Sequence, residues 1–317
     1  MTVAVDLWCK ASQVSVPLTI AGLVLAASAC APVDEEAGDS SLSTSDPTAE
    51  PDQTTNNGES GSAEPADTCA VDQLTLVKAG SLSIGTDSPA YAPWFKANEP
   101  TNGRGFESAV AYAVAKQLGF DDEQVSWVTV PFNKSYAPGD KNFDFDINQI
   151  SITPARAEVV DFSDGYYQAA QAVIALEEAE FADAASLADL RNARIGAQIG
   201  TTSLTAAEDV IQPDQQVAVF DDTSAAKQAL LNDQIDAIIV DLPTAFYISA
   251  VEIPGSTIVG QFQPTSGETE EFGLLFEKGN PLVSCVNDAI GSLERAGTLD
   301  KLEKRWLSQT VDVPELS

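Results

Sequence analysis

Histidine is missing from this 317-residue chain altogether. That absence excludes Ser-His-Asp triads, histidine general bases and histidine-ligated metals in one step. Met1 is the only methionine, so thioether ligation goes too. Cations are scarce: 16 lysines and arginines face 48 aspartates and glutamates, a formal charge of −32. A balance that acidic excludes nucleic acid and an anionic membrane surface as partners. No G-x-x-x-x-G-K-S/T stretch occurs, which rules out nucleotide hydrolysis through a P-loop. What remains is globular in composition, with 44% apolar residues and length for one large domain or two ordinary ones.

The most informative stretch present is Asp144 to Asp161, DFDINQISITPARAEVVD. Phe143, Phe145 and Ile147 alternate with Asp144, Asp146 and Asn148, the period of a strand. A helix start follows: Thr153 is a good N-cap, Pro154 suits the first helical position, and Arg156 falls in the first turn. A cation there opposes the helix dipole at a cost of about 0.3–1 kcal/mol unless an anion joins it. The hydroxyls of Ser151 and Thr153, free N–H groups and a guanidinium together offer a seat for a carboxylate or phosphate. The alternative is a surface ion pair from Arg156 to Glu158 or Asp161. Asp144-x-Asp146-x-Asn148 also begins like a calcium loop, but Gln149 replaces the required glycine and Ala155 the closing glutamate.

In chain order, Val14 to Ala29 is a short apolar run ending in small residues before Cys30. Acidic residues follow it instead of a basic stop-transfer flank, so a cleaved export signal fits better than a membrane span. The small residues before Cys30 resemble a bacterial lipoprotein signal, which would lipidate Cys30 and make it the mature N-terminus. Ala27 in place of leucine, and Asp6 in the leading region, depart from that pattern. Residues 31–67 are Ser, Thr, Pro, Gly and acids, and read as a disordered, self-repelling tether.

The folded part starts near Cys69. Leu82 to Asp87 alternates like a strand and ends in a turn bearing Tyr91 and Trp94 beside prolines. Aromatics at the mouth of a strand are often core, but two beside prolines in a loop suggest a binding wall. Gly105 to Leu118 is an amphipathic helix stopped by Gly119, and Val125 to Val130 a second strand leading into Phe132. Gln171 to Leu176 is extended. The strand Arg194–Ile199 runs into Gly200-Thr201-Thr202-Ser203 and a helix, a second anion-friendly turn. Val217 to Phe220 is a strand, Thr223 caps a helix to Asn232, and Ile235 to Val240 is a strand. Asp241 lies at its C-terminal end, the edge where open α/β sheets bind ligands, or else caps the next helix. Helices alternating with short apolar strands predict an α/β sheet with crossover connections.

The ordered pieces IGTDSPAYAPW, GFESAVAYAVAKQLG, SITPARAEVVDFSDGYY, IGAQIGTTS, DAIIVD, FGLLFEKGNPL and LERAGTLDKLEKRW resemble the extracellular solute-binding proteins of amino-acid ABC transporters. The resemblance runs from Leu74 to Leu307. It implies a type II periplasmic-binding-protein-like α/β fold, with two lobes, each a sheet flanked by helices, joined by two crossing hinge segments. The implied organisation is a signal over 1–30, a linker over 31–67, lobe one over 68–166 and 273–317, and hinge segments with lobe two over 167–272.

By the same resemblance, Arg156 would grip the α-carboxylate of a free amino acid, helped by Ser151, Thr201 and Thr202. Asp241 would take the α-ammonium with the Gln149 carbonyl, Tyr91 and Phe132 would sandwich the side chain, and Asp87 would face its distal end. Asp87 would then favour a polar or cationic amino acid. Asn148 and Gln149 are bulkier than the residues usual there, Asn133 to Asn142 lacks the usual leucine-containing helix pattern, and the loop Lys96 to Arg104 looks enlarged enough to cover the cleft. The implied protein is a lipid-anchored monomer on the outer face of the cytoplasmic membrane. It would deliver its ligand to separately encoded ABC permease and ATPase subunits, with no cofactor and no nucleic acid. In an oxidising, exported setting Cys69 and Cys285 are expected to pair. A receptor that senses without transport, and a dehydratase-like enzyme on the same fold, are the alternatives. Against the enzyme, the cleft carboxylates Asp87 and Asp241 both have binding roles, and no base of tuned pKa is evident.

Overall fold

The structure, a computed structural model, describes residues 69–263, 269–307 and 313–317. The expected signal, Cys30 and the linker 31–67 lie outside the described residues. Among the described residues ten strands follow in order: β1 (Leu82–Thr86), β2 (Val125–Thr129), β3 (Phe145–Asp146), β4 (Val160–Ala169), β5 (Gln171–Leu176), β6 (Ile195–Gln198), β7 (Ala218–Phe220), β8 (Ala237–Asp241), β9 (Ser256–Phe262) and β10 (Glu270–Glu277). The helices are α1 (Phe106–Gln117), α2 (Phe132–Ser135), α3 (Pro154–Ala157), α4 (Thr202–Ala206), α5 (Thr223–Leu231), α6 (Leu242–Tyr247), α7 (Leu282–Arg295) and α8 (Thr298–Trp306).

Two five-stranded sheets result, one per lobe. The first has the order β2-β1-β3-β10-β4 and the second β7-β6-β8-β5-β9. Within each, three strands run parallel and the crossing strands join them antiparallel, β10 and β4 in the first, β5 and β9 in the second. The chain leaves the first sheet at Ala169, enters the second at Gln171, and comes back between Phe262 and Glu270. Two crossings side by side are what a hinge requires.

The first lobe's main core packs α1, α7 and α8 on Leu82, Ile84, Phe145, Ile147, Leu274 and Phe276. The second lobe buries apolar residues on both faces of its sheet, so its strands read as nearly continuous apolar runs. A bond between Cys69 and Cys285 ties the start of the described chain to α7, with the Cα atoms 5.5 Å apart.

The extreme C-terminus departs from the expected lobe-one assignment of 273–317. Leu316 is buried in a core cluster of the second lobe, and Gln261 N donates to Pro314 O at 2.8 Å. Gly260 accommodates it: a Cβ there would meet Leu316 Cγ at 2.4 Å. Trp94 is also corrected. It is fully buried against Phe106, Tyr167 and Phe272 and forms core instead of a pocket wall.

Candidate functional site

The residues singled out between Asp144 and Asp161 meet the turn 200–203 where the lobes face each other. Thr153 caps α3, its hydroxyl accepting from Arg156 N at 3.2 Å. That cap aims Arg156 inward, and only 8% of the residue is exposed. Its guanidinium donates to Ser151 O of the first lobe at 2.7 Å and to Gly200 O of the second at 2.9 Å. It lies over the rings of Phe132 and Tyr136, 5.5 and 4.9 Å from their centroids, a cation–π contact on each. The surface-pair alternative fails, because the guanidinium is spent on those two carbonyls. Among the described residues neither Glu158 nor Asp161 is in ion-pair contact with it, and Asp161 pairs with Lys278 at 2.8 Å instead. Burial lowers the Arg156 pKa, opposed by Tyr136, Glu270 and Asp241.

Hydroxyls from the two lobes converge beside it. Ser151 Oγ and Thr202 Oγ1 lie 3.2 Å apart, and each donates to Glu270 Oε1 at 2.5 Å. The other Glu270 oxygen accepts from Gln171 Nε2 at 2.8 Å, and the same amide donates to Asp241 Oδ1 at 2.9 Å. Ser203 Oγ donates to Gln171 Oε1 at 2.6 Å, which fixes which end of the amide faces the acids. Asp241 stands just before α6 yet makes no side-chain cap. Its pKa is raised well above the ordinary carboxylate value, by burial first and the Glu270 charge second.

The other expected residues divide. Thr201 is turned to local structure: its hydroxyl caps α4 through Leu204 N and donates to Gln198 O. Asp87 is held by the backbone N–H groups of Ser88, at 2.6 Å, and Phe132, at 3.1 Å. Asp87, Tyr91 and Phe132 line a cavity of about 200 Å³ with Gln198, Asp221 and Asp222 of the second lobe. Tyr91 Oη and Ser224 Oγ lie 3.1 Å apart across the lobes, and Lys227 Nζ sits 5.3 Å above the Tyr91 ring. Gln149 has a left-handed backbone, φ 48°, which costs a side-chain-bearing residue conformational energy. Glu107 compensates, its carboxylate accepting from both Gln149 N and Gln149 Nε2.

Sequence reasoning missed Glu107, Gln171, Glu270 and Tyr136. Glu107 reads as an ordinary first-turn acid, Gln171 as the start of a strand, and Glu270 as one of several acids in the run Glu268 to Glu271. Burial pushes the Glu107 carboxyl up to about 7. Both of its oxygens are engaged by Gln149 and Tyr166, so it stands as a support for the Gln149 turn.

Against known proteins, residues 82–309 match the model of the bacterial extracellular solute-binding proteins, family 3. The arginine-binding extracellular protein ArtP of Bacillus subtilis is 28% identical over 72% of this chain and 86% of its own. A solved ancestral arginine-binding protein bound to glutamine superposes with a TM-score of 0.62 at 30% identity, over 73% of this chain and all of that one. An ancestral amino acid-binding protein described as a precursor of cyclohexadienyl dehydratase superposes with a TM-score of 0.59 at 30% identity, over 72% and 96%.

Proposed function

Because the chain belongs to the bacterial extracellular solute-binding proteins of family 3, we propose that it captures a free polar or cationic L-amino acid between its lobes and delivers it to an ABC importer. One observation carries this reading. Arg156 is buried at the junction of the lobes, bonded to a carbonyl of each, with Ser151 and Thr202 hydroxyls on one side and Asp241 nearby. A guanidinium with two hydroxyls suits an α-carboxylate, and Asp241 with the Gln149 carbonyl suits an α-ammonium. The cavity bearing Asp87, Tyr91 and Phe132 takes the side chain, and its acids Asp87, Asp221 and Asp222 favour a cation over an acid.

The relatives are named for what they bind, and the role assigned here is likewise binding. Relation to a dehydratase precursor leaves turnover as the competing reading. Thermal melting with each of the twenty amino acids, followed by product analysis of the best one, separates them. Arginine, lysine or a polar neutral amino acid is expected to raise the midpoint and be recovered unchanged. Stabilisation by aspartate or glutamate alone, by sugars alone, or recovery of a converted product contradicts the reading.

Cys30 anchors the protein to the outer face of the cytoplasmic membrane in this reading, through a lipid and the tether 31–67. Palmitate should label the wild type, and Cys30→Ser should release the protein to the medium. A Cys30→Ser protein that stays fully membrane-bound means that the apolar run is an uncleaved anchor.

A further inference from the structure

The anion seat of this cleft already contains an anion belonging to the chain. Glu270 is the first residue of β10, on the returning hinge crossing, and is 8% exposed. Its Oε1 takes the protons of Ser151 Oγ from one lobe and Thr202 Oγ1 from the other, both at 2.5 Å. Its Oε2 takes the amide proton of Gln171 at 2.8 Å. Arg156 feels the Glu270 charge. A hydroxyl has one proton to donate. Those given to Glu270 cannot also be given to a ligand carboxylate.

We propose that Glu270 is a resident substitute for the ligand's carboxylate, so that the cleft also takes cationic amines and guanidines that have none. The proposal rests on the amino-acid reading above and extends it to a further ligand class. When lobes close on a ligand without a carboxylate, an ordinary anion seat leaves its guanidinium and hydroxyls buried and unpaired, a state that is costly. Here Glu270 satisfies both hydroxyls, and the buried guanidinium has an anion of the chain itself near it. The ligand then needs to supply only cations, for which Asp241 and the acidic cavity of Asp87, Asp221 and Asp222 are placed. A ligand carboxylate must instead displace Glu270 from two of its three donors.

Calorimetric titration of the intact protein with arginine and its decarboxylated counterpart agmatine, and with lysine and cadaverine, tests this. Loss of one partner of a buried charge pair ordinarily weakens binding by about 30-fold to several thousandfold. In the wild type the amino acid is expected to exceed its amine by less than about 30-fold, below that range. Glu270→Gln removes the resident charge and should widen the ratio at least about tenfold, with the amine weakened and the amino acid strengthened, a factor equivalent to about 1.4 kcal/mol. Amines that do not bind the wild type, or a ratio unchanged in Glu270→Gln, overturn the proposal while leaving amino-acid binding intact. If no amino acid binds, the functional reading fails and the proposal fails with it. The wild-type ratio decides even where the variant does not fold.

Discussion

Glu107 shows how far single side chains in the cleft wall stand from their ordinary chemistry. It is fully buried in the first turn of α1, and its pKa is raised from 4.5 to about 7, burial outweighing the bonds from Tyr166 and Gln149. Tyr166, in turn, is held protonated by burial and by the Glu107 charge, and donates to Glu107 at 2.5 Å. The folded state therefore holds a proton that the unfolded chain has released. Stability from this group is fully present below about pH 4.5 and lost as pH rises to about 7. A shift of that size corresponds to at most about 3 kcal/mol. Urea denaturation of wild type and Glu107→Gln at pH 4.5, 6 and 7.5 isolates it, because other buried carboxylates such as Asp146 and Asp241 titrate in both proteins. The wild type should lose more stability than the variant across that window. Parallel losses contradict the assignment.

The elements show what patterning does and does not reveal. β1, β5, β6 and α1 fall within a residue or two of the ranges expected from periodicity, because each presents one buried face or lies wholly in the core, and β2 does so although its residues are at most half-buried. β4 was not legible. Asp164 and Gly165 interrupt its alternation, and its pairing with β10 carries register shifts on either side of Gly273. α5 is capped one residue earlier than expected, by Asp222 accepting from Ala225 N at 2.8 Å, while Thr223 donates to Gln198. Within the site, Arg156, Ser151, Thr202 and Asp241 were legible because helix caps and strand ends leave local signatures. Gln171 and Glu270 were not, since only the crossing of the two hinge strands brings them together. The Cys69–Cys285 bond joins the chain's described start to α7 across 216 residues. In the chain-entropy model a loop that long contributes about 5 kcal/mol at most. Cys69→Ser/Cys285→Ser should melt well below the oxidised wild type, and alkylation of the denatured, unreduced wild type should find neither thiol free. Two reactive thiols there contradict it.

At the scale of the whole molecule, the lobes meet through a small set of polar contacts around the cleft. Trp94 Nε1 donates to Thr244 Oγ1 at 2.8 Å, Tyr91 meets Ser224, and Tyr136 Oη donates to Gly200 O at 3.3 Å. Such contacts are individually worth about 0.5–1.5 kcal/mol, small enough for a ligand's added bonds to decide between open and closed. Arg156 differs in kind, since it joins both lobes and carries the charge that a ligand carboxylate needs. Truncating one partner of a buried charge pair costs about 2–5 kcal/mol, against roughly 8 kcal/mol for a whole micromolar complex. Isothermal titration of Arg156→Ala with the amino acid that binds the wild type most tightly is therefore the most direct measurement. The expected result is affinity reduced to the millimolar range or beyond, with the circular-dichroism spectrum intact and Arg156→Lys a poor rescue, since a point charge cannot reproduce the fork. Near wild-type affinity in a folded Arg156→Ala protein would contradict the amino-acid-binding cleft placed here.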